Sequence, residues 1–143
     1  MNANAELLNY VYQNSQMGVD TLQQLMEITD DMEFKGFLET QLTEYETFHK
    51  RARQMLNESG YDEKGLNAFE KIKTYFMVNA QTLNDRSASN IASMLINGST
   101  MGIIDTVKKL RQYEHDAEKE SKKLMEELRE FEEKSVEKLK EYL

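Results

Sequence analysis

SASNIASMLINGSTMGIIDTVKKL, residues 87–110, is a long segment charged only at Asp105, Lys108 and Lys109. Charged amphipathic patterns flank it on both sides. Gly98 and Gly102 stand one helical turn apart, with Ser99 and Thr100 between them. A glycine in a helix interior costs about 1 kcal/mol relative to alanine. Two in one short span therefore mark either a close approach to the backbone or a break in the helix. Either reading makes this segment the centre of a packed helical body.

The rest of the 143-residue chain agrees with a helical reading. Its length suits one domain, residues 1–143, with a core that needs no covalent staples. It has no proline, the principal helix breaker, and 31% of its residues are charged. The absence of cysteine excludes disulfides, thiol catalysis and thiolate metal ligands. A net charge of −8 repels phosphate backbones and anionic lipid, which argues against nucleic acid or membrane as partner. No apolar run approaches the ~18 residues of a membrane span. MNANAELLNY at the N-terminus has neither the basic nor the apolar region of a signal peptide, so the expected location is cytoplasmic.

Around the central stretch the 3–4 spacing predicts further helices. The first spans about Ala3 to Ile28, with Leu7, Leu8, Val11, Ser15, Gly18, Leu22 and Leu25 on one face. Asp30 and Glu33 have the form of a capping box and open a second helix to about Ser59. Its face carries Phe34, Leu38, Gln41, Tyr45, Phe48 and Ala52, and Gly60 suits the position after its end. Phe69, Ile72, Phe76, Ala80 and Leu83 make a shorter crossover helix whose period continues through Ser87, Ile91, Met94 and Gly98. An unbroken helix from Asn67 to Tyr113 would be roughly 70 Å long, too long for this domain. The break belongs at Asn84–Ser87, where Asp85 or Ser87 can cap, or else at Asn97–Gly98. The last helix should start near Asp116 and present Ser121, Leu124, Leu128, Phe131, Ser135, Leu139 and Tyr142. The tyrosines at positions 45, 75, 113 and 142 are expected to keep their hydroxyls at the rim.

One chemical spacing stands out, Glu46-x-x-His49. Di-iron bundles take this pair from two helices and one further carboxylate from each of the other two. On this layout, on SNIASMLINGSTMGIIDTVKKL and on the terminal EEKSVEKLKEYL, the chain from about Glu6 to Leu143 resembles the ferritin-like four-helix bundles, specifically a bacterial branch similar to spore coat F-like proteins. The resemblance implies an all-α, antiparallel four-helix bundle with a crossover helix between the second and third long helices. It also implies iron or manganese carboxylate chemistry.

The residues supply little of that chemistry. The inward centre of the first helix is Ser15, Gly18 and Leu22, none of them acidic. At about 100° per residue, Glu46 turns toward solvent and His49 sits off the centre of its face. Asp105 faces inward, yet Lys109 follows one turn later and reads as its ion-pair partner. Glu132 leans inward, but Ser135 stands where a histidine would be needed, and His115 falls in a turn. Asp105, Glu132 and His49 are the remaining weak metal candidates, and no residue is assigned to catalysis or to a cofactor. Gln41, Ser15, Ser121 and Ser135 are expected to hydrogen-bond across helices or to trapped water. These readings favour a non-catalytic structural or interaction protein, not an enzyme, with an interior of small and apolar side chains and a homodimer as one form. The alternatives are a metal-binding oxidase or storage protein with an atypical site and a spore coat-like assembly protein.

Overall fold

A computed structural model describes residues 2–63 and 83–143. Those residues form four helices and no strand. They are α1 (Ala3–Ile28), α2 (Met32–Glu58), α3 (Ala88–Gln112) and α4 (Lys119–Lys140). The expected crossover helix lies, apart from Leu83, within 64–82, outside the described residues.

Local chemistry sets the ends. Asn2 Oδ1 accepts from the amides of Asn4 and Ala5 and opens α1. The cap of α2 is Asp31, not Asp30: its Oδ1 accepts from the Phe34 amide at 3.0 Å, three residues on. At the other end Gly60 adopts φ 82°, where a side chain would be strained. This lets the Tyr61 amide reach Leu56 O and the Gly60 amide reach Asn57 O, the paired bonds of a Schellman motif. Ser87 caps α3 by accepting from the Asn90 amide, while Asp85 accepts from the Ser87 amide. A helix thus begins at the first of the two expected break points. At the second, Asn97–Gly98, α3 runs on without interruption.

The last helix begins at Lys119, three residues later than the expected Asp116. Residues 113–117 form turns in which the amides of Asp116 and Ala117 both donate to Tyr113 O. Glu118 makes no side-chain cap; its amide instead donates to Asn4 Oδ1 at 2.6 Å, tying the start of α4 to the start of α1.

The apolar faces meet in one core. Leu7, Leu8, Val11 and Leu25 of α1, Phe34, Leu38, Ala52 and Leu56 of α2, Ile91 and Ala92 of α3, and Leu124, Met125 and Leu128 of α4 are all nearly inaccessible. Each large one contributes about 1.5–3 kcal/mol relative to remaining in water. Aromatic contacts join α2 to the C-terminal region. The Phe34 ring lies 4.8 Å from that of Tyr142, and Tyr45 meets Phe131 edge-on at 5.1 Å.

At Gly18 the Tyr45 ring of α2 packs directly against the α1 backbone. A Cβ there would lie 2.7 Å from the Tyr45 ring, whereas one at exposed Gly36 would meet nothing. The two glycines therefore predict opposite outcomes. Gly36→Ala should raise stability by about 0.5–1 kcal/mol through helix propensity alone. Gly18→Ala gains the same propensity, but displacing a buried ring costs about 1–3 kcal/mol, for a net loss. Urea midpoints of the two variants, at unchanged m-value, measure both signs.

Candidate functional site: a buried carboxylate at the helix junction

In the interior, polar groups from several helices meet at Glu132. Its side chain is 2% exposed in the middle of α4. Asn14 Nδ2, from α1, donates to Oε1 at 3.1 Å. The Tyr45 hydroxyl, from α2, donates to Oε2 at 2.9 Å. From α3 comes the absence of a side chain: a Cβ at Gly102 would stand 3.2 Å from both carboxylate oxygens. One residue from each of the other three helices thus shapes the surroundings of one acid.

A second, neutral layer adjoins it. The Tyr10 hydroxyl donates to the Gly102 carbonyl at 3.0 Å. Thr106 Oγ1 lies 2.8 Å from the same carbonyl and 3.2 Å from the Tyr10 hydroxyl. One turn beyond Glu132, Ser135 Oγ reaches Gln41 Oε1 across to α2, a bond between helices of the kind expected for these polar residues, and also lies 2.8 Å from Phe131 O of its own helix. Among the described residues Ser15 bonds only carbonyls of its own helix, Val11 O at 2.6 Å and Tyr12 O at 3.1 Å.

A pocket of about 50 Å³ lies against the carboxylate, lined on its polar side by Asn14, Gln41, Tyr45, Ser99 and Ser135. Leu22, Leu95 and Leu139 supply apolar wall. Such a volume holds about two to four water-sized groups.

The electrostatics follow from burial. Loss of solvent pushes the Glu132 carboxyl up from 4.5 to about 7, against the opposing hydrogen bonds from Tyr45 and Asn14. Burial and then the neighbouring Glu132 push the Tyr45 hydroxyl well above its ordinary value. Burial pushes the Tyr10 hydroxyl up as well. Both phenols therefore stay protonated and available as donors.

The three candidate ligands do not share these surroundings. His49 is half-buried on α2, its ring stacked on Tyr12 at 4.2 Å. Burial and then Arg53 lower its pKa, and among the described residues its Nε2 has no hydrogen-bond partner. Glu46 is exposed, as its angular position requires. Asp105 is half-exposed, and the expected ion pair with Lys109 does not form; Lys109 Nζ lies instead 5.7 Å from the Tyr10 ring centre. Among the described residues no three His, Cys, Asp or Glu side chains form a group able to hold a metal ion. The dinuclear centre implied by the ferritin-like resemblance does not fit this donor set: no group of three acids or histidines stands around Glu132 among the described residues, and Ser135 occupies the position where a histidine would be needed.

The sequence reading missed Asn14, Tyr10 and Thr106 and put the Tyr45 hydroxyl at the rim instead of the centre. A signal was present for α1, because Tyr10, Asn14 and Gly18 repeat every four residues beside Leu7 and Val11. None of the described helices is long and apolar enough to cross a membrane. No protein-family profile, curated protein or solved structure matches the chain.

The folded chain keeps its Glu132 proton up to about pH 7, whereas an unfolded carboxyl releases it near 4.5. Ionisation therefore costs stability: the penalty is absent below about pH 4.5, grows through the interval and is complete above pH 7. The shift corresponds to roughly 3 kcal/mol. Urea unfolding at pH 5 and pH 8 should show this loss in the native chain and its removal in Glu132→Gln. Tyr45→Phe keeps the ring but deletes a donor to the anion, so it should cost about 1.5–3 kcal/mol at pH 8 and less at pH 5.

Proposed function

We propose that this chain is a non-catalytic, antiparallel four-helix bundle of the ferritin-like kind, acting as a structural or interaction protein in the cytoplasm. The observation that carries this reading is the state of its central acid. Glu132 occupies the place where four helices converge, and neutral donors from α1 and α2 take both of its oxygens. A carboxylate held in this way serves packing and register; a ligand to a reactive di-metal centre needs companion acids and histidines, and no such group of three stands among the described residues.

The antiparallel arrangement is supported by paired contacts. Gly18 meets Tyr45 while Tyr12 stacks on His49, so numbers rise along α1 as they fall along α2. Gln41 with Ser135 and Arg51 with Glu127 give the same sense for α2 and α4. Self-association is the simplest form of the proposed role. Met101 and Ile104 of α3, about half exposed, offer apolar surface for it.

Two measurements check the reading. Protein purified without chelators should contain no stoichiometric iron or manganese, and Asp105→Ala should leave its metal content unchanged. One bound iron or manganese per chain, lost in that variant, would replace this reading with an atypical metal site on Asp105, Glu132 and His49. Sedimentation equilibrium should show a dimer or larger assembly at high concentration, weakened by Ile104→Lys.

A further inference from the structure

Glu132 is nine-tenths or more buried and, once ionised, is a charge without a counter-charge among the described residues. Among the described residues no Lys, Arg or His forms an ion pair with it. Its two hydrogen bonds come from an amide and a phenol, which stabilise an anion but do not neutralise it. An isolated buried charge costs several kcal/mol. The space that can relieve this is already present, since the pocket of about 50 Å³ lies directly against the carboxylate.

The pocket's other polar groups are neutral. Gln41 contributes an amide oxygen and Ser135 a hydroxyl, already joined to each other across α2 and α4. Ser99, on α3, contributes a second hydroxyl beside Tyr45. Gln41 and Ser99 are half-exposed, which leaves a route in from solvent. One negative charge among neutral oxygens matches a single positive charge. A divalent ion would leave net charge in an apolar interior and would need more carboxylates than the site has.

We propose that the pocket beside Glu132 binds one monovalent cation of ammonium or potassium size, held by the Glu132 carboxylate and by the oxygens of Gln41, Ser99 and Ser135. The cation neutralises the central acid at the meeting point of the four helices, and its binding competes with the Glu132 proton. Among the described residues, the groups facing the acid are Tyr10 and Asn14 from α1, Tyr45 and Gln41 from α2, and Ser99 and Gly102 from α3, where Asp105 acts on Tyr10. Both tyrosines remain neutral, so among the described residues Glu132 is the group facing the pocket that changes charge between pH 5.5 and 8.

The test is thermal unfolding of the full chain in ammonium, potassium, sodium or choline chloride at one ionic strength. At pH 8, ammonium or potassium should raise Tm by a few degrees over choline, which is too large for the pocket, with saturation as the concentration increases. Ammonium against potassium tells which monovalent ion the site prefers. The difference should shrink at pH 5.5 and vanish in Glu132→Gln. Gln41→Leu, which keeps the acid and removes one neutral oxygen, should weaken the ammonium effect several-fold, read as the difference between ammonium and choline within that variant. Slowly exchanging 15N-ammonium observed by NMR would confirm occupancy directly. Equal Tm in all four chlorides at pH 8, an effect that survives Glu132→Gln, or stronger binding of magnesium or calcium would overturn the proposal.

Discussion

A single carboxylate withdrawn from water sets the terms for the surrounding helices. Glu132 belongs to α4, yet its immediate neighbours come from α1, α2 and α3. Hydrophobic burial supplies most of the driving force for such a bundle, but it is indifferent to small rotations and slips. The acid is not indifferent. It needs the Asn14 amide on one side, the Tyr45 hydroxyl on another and bare backbone at Gly102, and each requirement fixes one helix.

The apolar core reads as a frame around that point. Near one end the rings of Phe34, Phe37 and Tyr142 cluster beside the three-residue connection from α1 to α2. Toward the other, the Asn4 side chain receives the amide at the start of α4. Between them the tyrosines have a double use. Tyr45 packs its ring against Gly18 and Phe131 while its hydroxyl serves Glu132, and Tyr10 spans from α1 to the α3 backbone. Each puts an apolar body in the core and a polar tip on the central cluster.

The helices were largely legible in the sequence because their signals are local. The 3–4 spacing located α1, and Gly60 and Ser87 marked an end and a beginning through the bonds their chemistry permits. Errors at the caps were of one to three residues. Asp30 and Asp31 are equally good caps by composition, and only the turn geometry selects the second. The centre was less legible, since it is assembled from residues far apart in the chain. Periodicity showed Glu132 leaning inward, but nothing in its own helix says that Asn14 and Tyr45 face it. The same pattern made Asp105 and Lys109 look paired, when in three dimensions the aromatic face of Tyr10 draws the lysine away.

The two close-approach glycines show why a costly polar centre can coexist with tight packing. At Gly102 a methyl group would press on both oxygens of Glu132; at Gly18 it would press on the ring whose hydroxyl serves the same acid. Both glycines forgo about 1 kcal/mol of helix propensity, and both do so around one carboxylate. Sliding α4 by one residue would rotate Glu132 by about 100°, away from both donors. Sliding α3 would bring a side chain to the place of Gly102. Either move strands a buried anion or forces a clash, each costing several kcal/mol, a sizeable share of the stability of a domain this size. The polar centre thus discriminates among packings that the apolar faces alone would accept.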